Sequence, residues 1–161
     1  MRKDINGAFG LGIAAENIDT FVQETDKILA DMPNEPIYYV DYIYEGCNVE
    51  KQDILNIAAL NDLWGKNMDE PLVAVENLKV SSDMLTLMSP DKKPTLKITL
   101  PNKVCLIKFN SSQEEYESLL SEGYIAIDIV GKCNANVWNG NTTAQIQIED
   151  YQKIGESKYC F

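Results

Sequence analysis

From residue 72 onward, apolar and polar residues alternate along the chain, and this period of two limits the available folds more than any other feature. The alternation is clearest at 96–100, 125–129 and 146–148. Because successive side chains of a strand point to opposite faces of a sheet, each segment predicts a strand with one buried face. The residues predicted to point into the core are Leu96, Ile98, Ile107, Ile127, Ile129, Ile146 and Ile148.

The order of the predicted elements narrows the architecture. The predicted strands are 72–80, 96–100, 104–109, 125–129 and 145–149. Ser112 and Glu115 form a capping box, which predicts a short helix at 112–121. Three strands, a helix and two strands are the order of an OB-fold, although other small α+β sheets share it. We therefore predict a closed or nearly closed five-stranded OB-fold-like barrel, with the helix covering one end.

The first 71 residues have a different texture. Their predicted elements are a glycine-rich turn or strand at 6–13, a helix at 18–28 ending before Pro33, a strand at 37–44 and a helix from about residue 50. The overall fold class is α+β, mostly β, with a small α/β segment before the barrel. The predicted division is an N-terminal segment at 1–60, a turn-rich linker at 61–71 and the OB-fold-like domain at 72–161.

Composition excludes several kinds of chemistry. The chain has no histidine, which removes histidine catalysis and histidine metal ligation. It has no glycine-rich phosphate loop, and no pair of its acidic residues stands in a recognisable catalytic motif. An autonomous enzyme is therefore disfavoured, and we predict no catalytic or metal-binding residue.

Two further features concern the compartment. No apolar run approaches the roughly 18 residues of a membrane span, and no signal peptide is recognisable at the N-terminus. A cytoplasmic protein without a membrane partner is the expectation. The four widely spaced cysteines are Cys47, Cys105, Cys133 and Cys160, which favours reduced thiols over disulfides or metal ligands.

The net charge of −11 opposes a polyanionic partner, but the charge is unevenly distributed. Residues 1–71 hold 5 basic and 14 acidic side chains. Residues 79–108, in contrast, hold six lysines, including Lys97 and Lys108, and only two aspartates. This basic stretch fits either a solvated strand face or a surface that follows a phosphate backbone.

The predicted hairpin near residue 139 carries the other candidate binding residues. Trp138 stands on a polar turn where it could stack on a base or cap one end of the barrel, and Asn139-Gly140 fits a type I′ turn. Lys132 could meet a phosphate. The side chains that could hydrogen-bond bases or sugars are Asn136, Asn139 and Gln145. The run Tyr38, Tyr39, Tyr42 and Tyr44 favours a packed sheet face over a stacking surface.

Residues 128–140 and 145–151 together resemble the end of the OB domain of RecJ single-strand DNA exonucleases. In that family a strand ending in glycine and a basic residue leads to an Asn-x-Trp-Asn-Gly turn, and a strand ending Ile-Glu-Asp-Tyr follows; here the turn is 136–140 and the ending is 148–151. Residues 64–71 are similar to the family's linker, with Leu63 in place of its proline.

The likeness extends more weakly toward the N-terminus. Residues 7–10 and 16–21 resemble the end of the family's DHH-associated domain, but 3–5 replace its Gly-Gly-His motif, which puts that nucleic-acid contact in doubt. The resemblance implies single-stranded DNA as a weakly held partner. It also implies an upstream DHH catalytic domain, missing here, that binds manganese or magnesium, whereas these residues need no cofactor. A non-catalytic scaffold that docks other domains or a repair protein is the alternative function.

Overall fold

The structure, a computed structural model, describes residues 12–30 and 36–154 and divides the chain into two units, 1–37 and 38–161. In the first unit, a single 3-10 turn at Ala15–Asn17 leads into helix α1 (Ile18–Ala30), which confirms the helix predicted from spacing. The predicted exit at Pro33 and most of the predicted turn or strand at 6–13 lie outside the described residues.

The second unit contains one seven-stranded sheet and two helices. The strands are β1 (Tyr42–Glu45), β2 (Leu72–Ser81), β3 (Leu85–Met88), β4 (Thr95–Thr99), β5 (Cys105–Phe109), β6 (Tyr124–Trp138) and β7 (Asn141–Lys153). The helices are α2 (Lys51–Ala58) and α3 (Gln113–Ser121). The sheet order is β1-β2-β6-β7-β5-β4-β3, with β1–β2 and β5–β7 parallel and the other pairs antiparallel. This mixed, OB-like architecture confirms the predicted fold class.

The predicted closed or nearly closed barrel of five strands is wrong in strand number, and the sheet does not close. The four-residue strand β3 was not predicted, and β1 adds a seventh strand beside β2. A 3-10 turn at Ser82–Met84 interrupts what would otherwise be one long strand from β2 into β3. Because three residues separate the two strands, Leu85 lies at most roughly 14 Å from Ser81. The sheet must therefore curl so that the β3 edge returns toward the end of β2, although β2 and β3 do not pair.

The residues predicted to point inward are all buried, with one error of orientation. Leu106, paired with Ile98 and Ile146, belongs to the apolar core, whereas Ile107 lies on the opposite face of the sheet. All residues of the run Val104-Cys105-Leu106-Ile107 are apolar, so the alternation of apolar and polar residues could not show which of them face the core. β1 and α2 belong to the same compact unit as the other strands, and they contribute Tyr44 and Ile54 to its core.

Helix α3 begins as the capping box predicts, because the Glu115 backbone N–H donates to the Ser112 hydroxyl at 3.0 Å. Leu119 is buried in the core and Tyr116 packs against it. Lys153 of β7 contacts Ser118 and Glu122, and the helix also packs against β3. These contacts place α3 at the end of the sheet where β5 and β7 finish. The boundaries predicted at residues 60 and 71 remain predictions about domain identity.

Candidate nucleic-acid interface

One face of the sheet lies opposite the apolar core, and we call it the outer face. The strand register brings Lys97, Ile107, Gln147 and Lys132 into one row across it. A neighbouring row holds Thr99, Cys105, Gln145 and Asn134. Because paired residues in a sheet share a face, three predicted binding residues, Lys97, Lys132 and Gln145, are on this side together.

A groove of about 280 Å³ crosses the outer face. Its apolar lining comes from Met88, Cys105, Ile107 and Phe109, and its polar lining from Lys97, Asn136, Thr143 and Gln145. Met88 immediately precedes the loop at 89–94, and Asn136 lies two residues before the tip of the β6–β7 hairpin. The groove therefore runs between these two connections, and it brings together the predicted residues Lys97, Asn136 and Gln145.

The polar side chains of the groove have no partners within the described part of the chain. Neither the hydrogen bonds nor the ion pairs found there involve the side chains of Lys97, Asn136, Thr143 or Gln145. One cation, two amides and a hydroxyl are thus available to a ligand above an apolar floor. Convergent polar groups over an apolar surface are typical of binding sites.

The hairpin between β6 and β7 presents Trp138 and Asn139 to solvent. Asn139 and Gly140 have φ angles of 47° and 75°, which confirms the predicted type I′ turn. Trp138 is 73% exposed, so it does not cap the end of the core. Its ring is available for stacking on a base.

Lys132 lies on the outer face but is already paired. Its Nζ lies 3.2 Å from Glu149 Oε1 and 3.5 Å from Glu70 Oε2. The hydrogen bond to Glu149 outweighs partial burial and raises the pKa of Lys132. Lys132 stays protonated, but two carboxylates neutralise its field, so it is a poor phosphate ligand while these pairs hold.

Lys108 is placed away from the groove, beside α3. Its Nζ lies 3.1 Å from Glu115 Oε1 and 5.9 Å from the centre of the Tyr151 ring. Tyr151 also donates to Glu115 Oε1 at 2.8 Å. Burial favours a higher pKa for Glu115, but the hydrogen bonds from Tyr151 and Lys108 outweigh it and lower the pKa. Lys108 therefore stabilises the junction of β5, β7 and α3.

The remaining lysines of the basic stretch do not form one surface. Lys92 and Lys93 are exposed on the loop at 89–94, beside the groove, whereas Lys79 is on β2 and Lys103 is in the β4–β5 turn. The groove also contains Phe109, which is 53% exposed and was not predicted as a binding residue. Its alternation with Ile107 at the end of β5 was the signal that could have indicated it.

The four tyrosines at 38–44 differ in their exposure to solvent. Tyr44 is buried, with its ring centre 4.7 Å from that of Tyr42 in an edge-on arrangement, while Tyr39 and Tyr42 are exposed. Tyr38 donates a hydrogen bond to Asp150 at 3.2 Å. The prediction of a packed sheet face is therefore correct only for Tyr44.

Cys47, Cys105 and Cys133 are free thiols, and burial raises the pKa of Cys133 to about 12. Within residues 12–30 and 36–154, no three or more acidic or cysteine side chains are grouped so that they could hold a metal ion. The resemblance implies manganese or magnesium only in a DHH domain, so neither ion was expected at these residues. No helix in those ranges is long and apolar enough to cross a membrane.

The curled mixed sheet, with a helix between β5 and β6 and a groove over β4 and β5, defines an OB-fold-like domain. The model of the RecJ OB domain matches residues 47–150, so the chain belongs to this family.

Two curated relatives are each 26% identical over 149 residues, which cover 91% of this chain and 26% of theirs. They are a putative SPbeta prophage-derived single-strand DNA-specific exonuclease YorK of Bacillus subtilis (strain 168) and a putative single-strand DNA-specific exonuclease of Bacillus phage SPbeta. The chain thus spans about a quarter of the length of these relatives.

Solved structures of RecJ from Thermus thermophilus give the same fold. The complex with Mn²⁺ has a TM-score of 0.57 at 16% identity, over 90% of this chain and 20% of that one. The complex with Mg²⁺ has a TM-score of 0.56 at 15% identity, over 89% of this chain and 21% of that one. At these identities the likeness shows the fold alone.

Proposed function

We propose that this chain is the single-stranded-DNA-binding OB portion of a RecJ-like 5′–3′ exonuclease that acts in DNA recombination and repair in the cytoplasm. Hydrolysis takes place in a DHH domain outside these residues, and the manganese or magnesium belongs there. The family match and the printed names of the relatives support this assignment. The lack of histidine supports placing catalysis elsewhere.

The observation that carries the proposal is the groove on the outer face, with Trp138 beyond one end. Lys97 lies inside the groove and has no ion pair within residues 12–30 and 36–154. Binding of single strands without sequence preference requires aromatic rings for the bases and cations or amides along the backbone. The groove and the adjoining turns supply both. Lys92 and Lys93 on the loop at 89–94 are the further phosphate contacts. Lys132 contributes only when Glu70 and Glu149 release it, and Lys108 takes no part.

The net charge of −11 limits the affinity. Stacking on one aromatic ring contributes roughly 1–3 kcal/mol per base, and a few phosphate contacts add a salt-sensitive term. The acidic side chains elsewhere oppose both contributions. We therefore expect micromolar or weaker binding from the chain alone at about 50 mM salt.

Titration of labelled single-stranded oligonucleotides at about 50 mM salt tests the proposal. Trp138→Ala and Lys97→Gln weaken binding, and the double variant weakens it further. Lys51→Gln is the matched control, because it removes the same charge from an exposed position on α2. If the unaltered chain does not bind, or if Trp138→Ala with Lys97→Gln binds equally well, the proposal fails.

A protein-docking scaffold is the second candidate, and the net charge of −11 favours it. On the outer face, Glu70 and Glu149 neutralise Lys132, which reduces the surface available to DNA. The salt dependence of binding distinguishes the two functions. DNA binding weakens steeply between about 50 and 200 mM salt, whereas apolar docking does not.

A further inference from the structure

We infer that the groove on the outer face is a pocket for a single nucleobase, which stacks on Phe109. This inference rests on the proposed function and specifies how the same site engages its ligand. The groove then encloses one base, whereas Trp138 on the hairpin offers an exposed ring for stacking.

The floor of the groove fits a flat apolar ring. Met88, Ile107 and Phe109 line the same groove on one face of the sheet, where Met88 and Phe109 flank Thr95 and Ile107 lies two residues before Phe109. Ile107 is only 5% exposed, whereas Phe109 is 53% exposed. Phe109 is therefore the ring against which a base can stack, and Ile107 forms the apolar bottom.

The rim of the groove fits the edge of a base. Asn136 and Gln145 each carry a donor and an acceptor on one amide, which matches the mixed donors and acceptors of a nucleobase edge. Among the described residues that line the groove, none is acidic, and Lys97 is the one cation. A neutral heterocycle joined to a single phosphate meets all of these groups.

The groove is large enough for one base, and it offers one ring. Its volume of about 280 Å³ lies just below the roughly 300–1,000 Å³ of typical small-molecule pockets, and among the described residues that line it Phe109 is the one aromatic. A base that stacks on this ring leaves the adjacent bases of the strand free to stack elsewhere. Trp138 is the exposed aromatic at the hairpin tip and can stack on one of them.

An abasic scan of a minimal oligonucleotide tests the pocket. Oligo(dT) strands of increasing length are first titrated with the full chain to find the shortest strand that binds. A strand of this length cannot shift along the protein to avoid an abasic residue without losing other contacts. An abasic residue is then placed at each position in turn. We expect the position held in the groove to weaken binding by roughly 5- to 150-fold, the range for loss of one stacked base. A position stacked on Trp138 should also weaken binding, and the remaining positions should have much smaller effects.

Protein variants assign that position to the groove. Phe109→Ala is expected to remove the effect at the groove position and to leave the effect at the Trp138 position, while Phe109→Trp, which keeps a ring, retains both. Equal effects at every position, or unchanged position dependence in Phe109→Ala, would overturn the inference while leaving strand binding intact. Failure of the intact oligo(dT) to bind would instead reject the proposed function. Thermal unfolding verifies that each variant is folded.

Discussion

Gly131 of β6 lies so close to Gln147 of β7 that a Cβ atom at position 131 would stand 2.3 Å from the Gln147 carbonyl oxygen. The same atom would be 2.7 Å from Cγ2 of Ile146 in the core. Two central strands therefore approach each other at a position that admits no side chain. This contact gives a structural reason for the glycine that precedes Lys132 in the motif shared with RecJ.

Gly131→Ala is expected to destabilise the chain by about 1–3 kcal/mol, because the methyl group forces β6 and β7 apart. Urea denaturation measures the change in the free energy of unfolding. Gly65→Ala is the control, since no atom lies within 4 Å of its added Cβ, and it should change stability by less than about 0.5 kcal/mol. Equal stabilities for the two variants would contradict the prediction.

The salt dependence of DNA binding is expected to report on Lys97. Each phosphate contact to a single strand contributes roughly −0.7 to the slope of log affinity against log salt concentration. Lys97→Gln should make the slope shallower by about that amount, because its ammonium has no ion pair among the described residues. Lys51→Gln should leave the slope unchanged. A slope that is the same in all three proteins would exclude Lys97 as a phosphate ligand.

Releasing Lys132 from its carboxylate partners is expected to strengthen DNA binding. Glu149→Gln removes the nearer partner, at 3.2 Å, and should tighten binding by roughly two- to five-fold at about 50 mM salt, the size expected for one exposed charge pair. Adding Lys132→Gln to this variant tests the mechanism. If the gain survives in the double variant, it comes from the lost negative charge and not from Lys132.

Stability below neutral pH is expected to depend on Glu115. Its pKa in the folded chain is below the ordinary 4.5, so the folded state binds fewer protons than the unfolded state in that range. Its contribution is therefore complete above the unfolded pKa and is lost as the pH falls through the folded pKa.

Glu115→Gln replaces charge-assisted hydrogen bonds and should cost roughly 1.5–3 kcal/mol at pH 7. The difference from the unaltered chain should shrink below about pH 4.5, the ordinary pKa of this group. Urea denaturation between pH 7 and pH 3 measures it. Glu114→Gln, in the same first turn of α3, is the control for the helix terminus. A difference that is constant over this range would show that ionisation of Glu115 is not responsible.

The isolated chain is expected to release no nucleotides from single-stranded DNA with manganese or magnesium. It has no histidine, and its described residues form no group able to hold a metal ion. A 5′-labelled oligonucleotide incubated with each metal provides the assay, and an active single-strand nuclease provides the positive control. Metal-dependent digestion that copurifies with the chain would refute this expectation.

The parts of the fold that sequence could predict are those governed by local periodicity. Ile146 and Ile148 alternate with polar neighbours, and both are buried as expected. Ile107 could not be assigned to a face, because apolar residues lie on both sides of β5. The same ambiguity concealed Phe109 and the apolar floor of the groove.

The sequence could indicate which residue types form the candidate site, but it could not show which of its lysines form ion pairs with acidic residues. Asn136 and Gln145 were selected for their amides, and the structure brings them into one groove with Lys97. The pairing of Lys132 with Glu70 depends on the contact between distant parts of the chain, which no local pattern contains. Lys108 was placed in a basic stretch by sequence, but its partner Glu115 comes from the following helix.

The position of β7 has a consequence for how the domain forms during synthesis. β7 is the last of the described strands, yet it lies between β6 and β5 and is the strand that joins β1-β2-β6 to β5-β4-β3. Each half can pair its own strands as soon as they have left the ribosome. The halves cannot be united until residues 141–153 have followed, so a chain stopped near residue 140 would leave one edge of β6 and one edge of β5 exposed to other chains.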